Sequence, residues 1–501
     1  MANHETVDIL IVGSGMGGAT CAAGLATTGA RIVILERGGS LKDTGDARDA
    51  RAIFQRGVFR PRESWLDGEG RPFNPGAYYY VGGATKFYGA VLIRFRAQDF
   101  EPIAYREGTT TGWPFAYEEL EPWYSRAEKL YKVRGALGLD PTEPRHSESY
   151  PFGPVPDEPA IARVRERTKA VGLNPFPLPL GIDVDAWLMR AKTPWDAFPN
   201  TGVGKMDAES CGVTEALAHP NVELRTHARV ERLLLEADGK RVAGVEAAIE
   251  GERRRIGAKI VVLSAGAVNS AALLLASGDG GVANRSDAVG RHFMNHNASA
   301  MLAIDPRAVN DSVYQKTLGI NDFYLDDGRG GPPLGNIQLL GRVTAPILKS
   351  SLPLAPEWAL RPMSRRSVDW YAMSEDLPNP ESRVTLEGSQ IRLDWKRSNW
   401  SAHLDLVKAF KERLRAAGYP IVLTKAFDRR TPSHQCGTVR MGLDASTSPL
   451  DPYCRAWDHP NLFVVDASFL PTSAGVNPSL TIAAQALRVA DHIAATDLRS
   501  K

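Results

Sequence analysis

The chain has 501 residues, 43% hydrophobic and 24% charged, and its 60 basic and 58 acidic side chains nearly cancel, leaving +2. That length can bury a core large enough for two or three domains, and the charge balance excludes a broad basic surface for nucleic acid. Four cysteines, at 21, 211, 436 and 454, are too few and too scattered for a disulfide framework or a zinc pair and read as reduced thiols. No basic, apolar and cleavable leader opens the chain. No apolar run approaches the ~20 residues of a membrane span. A soluble, cytoplasmic protein with no membrane or nucleic-acid partner is expected.

The first element is the strand "VDILIV", apolar apart from Asp8, as suits a strand covered on both faces of a parallel sheet. Gly13, Gly15 and Gly18 follow as G-x-G-x-x-G, and an Ala/Gly-rich helix begins near Met16. Gly13 suits a tight turn, Gly15 lets backbone approach a pyrophosphate, and Gly18 lets helix and strand pack closely. The helix start offers unpaired N–H groups to the diphosphate. A second strand, "RIVILE", ends at Glu36 with Arg37 next. The Glu36 carboxylate suits a ribose diol and would repel a 2′-phosphate, which argues against NADP. Triplet, strand context and acidic strand end together predict a dinucleotide site; from these residues alone FAD and NAD both remain open.

Downstream, 221–247 reads as short strands, including Val230, with a turn at "ADGK". "AKIVVLSAGAVNSAALLLASG" repeats strand, small-residue turn and helix, with a second close backbone approach at Ala265 and Gly266. "NLFVVDASFLP" is another buried strand, ending at Asp466 and Ala467, and a terminal helix starts near Pro478. Between these pieces lie a Pro- and Trp-rich stretch with the helix "AYEELEPWYSRAEKLYKV", alternating segments such as "SRVTLEGSQIRLDW", and the amphipathic helix "SAHLDLVKAFKERLRAAG". Residues 328–333 and 353–362 read as mobile loops.

The expected fold is α/β. A Rossmann-like nucleotide domain is assembled from residues 1–98, 205–300 and 426–501. An α+β substrate domain with an antiparallel sheet takes 99–204 and 301–425.

"SHQCGTVRMG" places His434 near Cys436. Alone it is compatible with a metal ligand, a Cys–His pair, a redox base or a core histidine. Two residues apart, Cys436 and His434 point apart on a helix, and on a strand stand roughly 6–7 Å apart, so a direct bond is disfavoured. No G-x-S-x-G elbow supports a serine hydrolase. "RHFMNHN" spaces His292 and His296 like a zinc pair but lacks the Glu of H-E-x-x-H, and reads as a surface or cofactor-adjacent loop. No metal is expected.

Six segments together resemble the glucose–methanol–choline (GMC) flavin oxidoreductases, in that family's order: "GSGMGG", "VGGATKFYGAVLIR", "GWPFAYEELEPWYSRAE", "VVLSAGAVNSAALLLASG", "HQCGTVRMG" and "NLFVVDASFLPTSAGVNPSLT". The chain is most similar to the pyranose oxidase and bacterial C-glycoside 3-oxidase branch. The resemblance implies FAD, held by the residues named above and by the loop at Gly82 and Gly83. Phe87 stands where several members carry the histidine that links FAD covalently, so non-covalent FAD is expected. By the same resemblance His434 is the catalytic base, and Asn477, where many members have a second histidine, is its partner at the substrate carbon. Asp466 contacts the FAD chain, and the helix starting at Pro478 aims its positive end at the flavin.

The implied reaction is oxidation of a sugar, glycoside or other alcohol, with electrons passed to O₂ or a separate acceptor. The alternatives are an NAD-linked dehydrogenase, an FAD-dependent dehydrogenase of a non-sugar alcohol, and a non-catalytic flavin-binding protein. The aromatic run "AYYYVGG" and Trp113, Trp123, Trp195 and Trp370 suit sugar rings, though scattered aromatics more often fill cores.

Overall fold

The structure, a computed structural model, describes residues 5–428 and 434–498. The extreme N-terminus and Ser433, which precedes His434, lie outside these.

Strands from the beginning, middle and end of the chain build one seven-stranded sheet. Its parallel part runs Val222–Arg225, Ile32–Leu35, Glu5–Val12 and Glu252–Leu263, and Leu462–Val464 also pairs parallel with the last of these. Ala228–Leu235 and Val242–Ile249 extend it antiparallel. Ile9, Leu10, Ile11 and Val12 are buried, each contributing roughly 1.5–3 kcal/mol on transfer from water.

The glycine turn follows the first strand because no other residue fits there. Gly13 has φ +99°, and a Cβ on it would lie 2.2 Å from the Ser264 carbonyl oxygen. A Cβ on Gly18 would meet the Gly13 carbonyl oxygen at 2.1 Å, so the helix Met16–Leu25 can press against the turn. The terminal helix Ser479–Thr496 packs along that first helix.

A six-stranded antiparallel sheet forms the second layer system, in the order Ile421–Ala426, Asn297–Ile304, Ser367–Ser374, Asn336–Leu339, Leu318–Ile320 and Phe176–Pro177. The helix Trp400–Ala416 covers it through Leu406, Phe410 and Leu414, and Phe410 meets Trp370 edge to face at 5.0 Å. The α/β fold with a second antiparallel sheet is therefore as expected.

Two expectations change. The hairpin Arg383–Glu387 and Gln390–Asp394 joins a separate four-stranded sheet with Trp65–Asp67 and Pro72–Phe73. Its buried Val384 and Leu393 belong to the same hydrophobic cluster as the seven-stranded sheet; alternation shows that a face is buried but not against what. Residues 353–362, expected as a loop, include most of the helix Glu357–Ser364, anchored by buried Leu360. Pro353 and Pro356 precede that helix, where a missing N–H costs nothing. Among the described residues, no helix is long and apolar enough to cross a membrane.

Candidate active site

A cavity of about 1350 Å³ runs from the glycine turn to the antiparallel sheet. Gly13, Gly15, Met16, Glu36, Arg37, Gly83, Val230, Ala265, Gly266, Asp466, Ala467, Pro478, His434 and Asn477 all line it. Gly18 and Gly82 do not. Gly18 serves packing, and the Gly82 N–H donates to Ser14 Oγ at 3.1 Å. Ser14 Oγ in turn donates to Glu36 Oε2 at 2.7 Å, so one small side chain ties the double-glycine loop to the glycine turn and the acidic strand end. Sequence reading missed Ser14.

The wall at this end suits a diphosphate and ribose. Gly15 opens the helix without a side-chain cap, and a Cβ on it would touch nothing. The first-turn N–H groups thus face the space unpaired. Gly83, at φ +57°, would bring a Cβ within 3.2 Å of the Gly15 Cα, so two bare backbones meet. Ser264 Oγ is buried there without a partner. Burial raises the Glu36 carboxyl, opposed by the Gly38 and Ser14 donors; these take three of its four lone-pair sites and leave one, on Oε1, for a ribose hydroxyl. Asp466 takes the Gly266 N–H at 3.0 Å, the Ser270 hydroxyl and the Ser468 N–H at 2.9 Å, clamping the second turn to the last strand. An unpartnered hydroxyl, an uncapped helix start and a cradle of glycines are what an FAD diphosphate requires.

At the other end His434 is half-buried, with φ +66°, and two hydrogen-bond chains decide which nitrogen carries its proton. His296 Nε2 faces two acceptors, the carbonyls of Ala474 at 2.6 Å and Ser473 at 3.0 Å, so it bears hydrogen. Burial pushes the His296 pKa down to about 4 despite these carbonyls, leaving the ring neutral and Nδ1 a lone pair. His296 Nδ1 lies 2.8 Å from His434 Nδ1, which must therefore be the donor.

The second chain starts from a group that can only accept, the Asp140 carboxylate paired with Arg96. Asn321 Nδ2 donates to Asp140 at 2.8 Å, and Asn321 Oδ1 accepts from Asn336 Nδ2 at 2.7 Å. Asn336 Oδ1 then accepts from Gln338 Nε2 at 3.0 Å, which also donates to Asn477 Oδ1 at 2.9 Å. That orients the Asn477 amide nitrogen to His434 Nε2, 3.2 Å away. Asn336 and Gln338 share one face of their strand because they are two apart. Both chains leave the lone pair of His434 on Nε2. Burial, followed by the neighbouring His296 ring and the Lys316 ammonium, holds the His434 pKa well below 6.5, so the ring is neutral at ordinary pH.

Other expectations sort accordingly. His296 is not a surface residue but 2% exposed, because its segment runs directly into the strand Asn297–Ile304 instead of forming a helix. His292 lies outside the cavity lining, with φ +58°. Among the described residues no group of three or more His, Cys, Asp or Glu can hold a metal. Cys436 is buried in a backbone bridge to Met294, and burial drives its thiol pKa well up. Phe87 stacks on Tyr78 at 3.9 Å. Trp113, Trp195 and Trp370 are core and do not line the cavity, whereas Tyr78, Tyr79 and Tyr371 are among the aromatics on its wall.

GMC oxidoreductase family models match residues 199–298 and 378–486, and an NAD(P)-binding Rossmann-like model matches 11–58. The chain is 29% identical to a 6'''-hydroxyparomomycin C oxidase of Streptomyces lividus, over 97% of this chain and 92% of the relative. It is 30% identical to a C-glycoside 3-oxidase of Microbacterium trichothecenolyticum over 55% of this chain and 54% of the relative. The solved pyridoxine 4-oxidase of Mesorbium loti superposes with a TM-score of 0.67 at 20% identity, covering 97% and 99% of the two chains, and shows the shared fold. The chain belongs to the GMC oxidoreductase family and is an FAD-dependent enzyme that oxidises alcohols.

Proposed function

We propose that the enzyme oxidises a secondary hydroxyl of a sugar or glycoside to the ketone, with His434 as the base and Asn477 as the donor to the reacting oxygen. The observation that carries this is the lone pair on His434 Nε2, held by two independent hydrogen-bond chains on the wall of the FAD cavity. The relatives that oxidise 6'''-hydroxyparomomycin C and C-glycosides support the sugar class.

Bound FAD supplies the two-electron acceptor that takes the hydride from the carbinol carbon. His434 Nε2 accepts the hydroxyl proton as that hydride leaves, so the carbon loses two electrons and two hydrogens to become a carbonyl. The positive charge that develops on His434 is shared through Nδ1–H with His296 and its two carbonyl acceptors. The single lone pair of Nε2 cannot hold both hydrogens, so the Asn477 amide leaves His434 as the proton arrives and turns to the developing alkoxide, which it steadies as an oxyanion donor does. The electrons then leave to O₂ or another acceptor. FAD is held non-covalently, since Phe87 offers no nucleophile in the double-glycine loop.

The test is an anaerobic panel of sugars, glycosides and simple alcohols, read by bleaching of the flavin's visible absorbance. His434→Ala should keep FAD and lose reduction by about 10²–10⁴-fold, the usual worth of a general base. Unchanged bleaching would remove His434 from the mechanism; no bleaching of the parent enzyme by any sugar would remove the substrate class.

A further inference from the structure

At the substrate end the cavity wall carries one cation and one anion that the oxidation itself does not use. Lys316, 5% exposed, and Asp196 both line the cavity, and their Nζ and Oδ2 lie 3.0 Å apart. Their hydrogen-bonding capacity is only partly spent. Lys316 Nζ also donates to the Leu339 carbonyl at 3.2 Å, leaving one of its three hydrogens. Asp196 Oδ2 also takes the Gly341 N–H at 2.9 Å, whereas Oδ1 has no donor among the described residues.

The surroundings keep this pair uncovered and fixed. A Cβ on neighbouring Gly89 would stand 2.5 Å from Lys316 Cε and 2.6 Å from Asp196 Oδ1, so any larger residue would fill the space over both. The loop holding Asp196 is pinned by buried Lys205, whose Nζ reaches the carbonyls of Trp195 and Phe198 at 2.8 Å each. The strand that supplies the Leu339 carbonyl also carries Gln338, the residue bonded to Asn477. The pair therefore sits next along the wall from the reacting centre.

A leftover donor beside a leftover acceptor matches two adjacent hydroxyls, each of which can do either job. An anion would meet Asp196 and a cation would meet Lys316, so the pair selects against both. We propose that Lys316 and Asp196 form a subsite for two neighbouring hydroxyls of a neutral polyol, one accepting from the ammonium and the other donating to the carboxylate. The proposal rests on the alcohol-oxidation reading above and adds what the substrate must carry beside the oxidised carbon.

The experiment measures kcat/KM for methyl β-D-glucopyranoside and its monodeoxy derivatives, with the unaltered enzyme and with Asp196→Ala and Lys316→Met. In the unaltered enzyme, removing a contacted hydroxyl should cost roughly 10- to 100-fold, the worth of a hydrogen bond to a charged group. In the matching variant the same deoxygenation should cost under about 3-fold, because the partner is already gone. Equal deoxygenation penalties in enzyme and variant would overturn the proposal. The unaltered enzyme keeps it falsifiable even where a variant fails to fold. No monodeoxy derivative losing more than about 3-fold, or a preference for the corresponding uronic acid or amino sugar, would overturn it too. An enzyme inert towards every neutral sugar sinks the sugar reading itself, whereas an active enzyme without coupling sinks the subsite alone.

Discussion

His296 offers the sharpest check on the tautomer argument. Replacing it with Leu removes the acceptor 2.8 Å from His434 Nδ1 and the donor that serves the Ala474 and Ser473 carbonyls. In the transition state His434 becomes an imidazolium, so the lost bond is one to a charged donor, worth about 1.5–3 kcal/mol. At 1.36 kcal/mol per tenfold this slows flavin reduction by roughly 10- to 150-fold. His296 does not line the cavity, so the loss should fall on the limiting reduction rate, with the substrate's dissociation constant little changed. His296→Gln, which presents both an acceptor and a donor, should recover part of the rate. Anaerobic stopped-flow bleaching against substrate concentration separates the two constants. A Leu variant that retains FAD and reduces within about 3-fold of the parent would refute the argument, as would a Gln variant no better than Leu.

Two further outcomes follow from the same site. Because burial, His296 and Lys316 hold the His434 pKa well below 6.5, the base is neutral above that value. The reduction rate should therefore be flat through neutral pH and fall only as pH drops through the depressed pKa. Lys316→Met removes a positive neighbour and should move the acid limb to higher pH; an unaltered-enzyme limb above 6.5 would contradict the assignment. Acid precipitation should leave FAD in the supernatant, since Phe87 is buried against Tyr78 and cannot be a point of attachment; yellow colour pelleting with the polypeptide would show a covalent link elsewhere.

What could be read from the sequence was what the backbone imposes locally. Gly13, Gly15 and Gly18 are legible as a spaced triplet between a strand and a helix, although a Cβ on Gly18 would meet nearby Gly13, one on Gly13 distant Ser264, and one on Gly15 nothing in the protein. His434 was legible only through the resemblance of its segment, since the residues that give it chemistry lie far away: His296 in one insertion boundary and Gln338 in the antiparallel sheet. Ser14 was hidden for the same reason, its meaning being a bond to Gly82 in another loop. The "SRVTLEGSQIRLDW" hairpin was visible as two strands, but its partners, Trp65–Asp67 and Pro72–Phe73, come from the other end of the chain. His296 read only as part of a surface or cofactor-adjacent loop, because nothing in "RHFMNHN" shows its bonds to His434 and to the carbonyls of Ser473 and Ala474.

The scattered origin of the seven-stranded sheet also bears on how the protein is made. Val261 pairs on one side with Leu10 and on the other with Leu462, so the strand Glu252–Leu263 meets one partner made long before it and another made long after. Such non-local pairing is slow, and its unpaired edges invite association while they wait. The glycine turn cannot be buttressed by Ser264 until half the chain has emerged, nor Gly17 by Val465 until nearly all of it has. A polypeptide ending before the last strand would lack the Val465 carbonyl behind Gly17 and the Asp466 carboxylate that clamps Gly266 and Ser270.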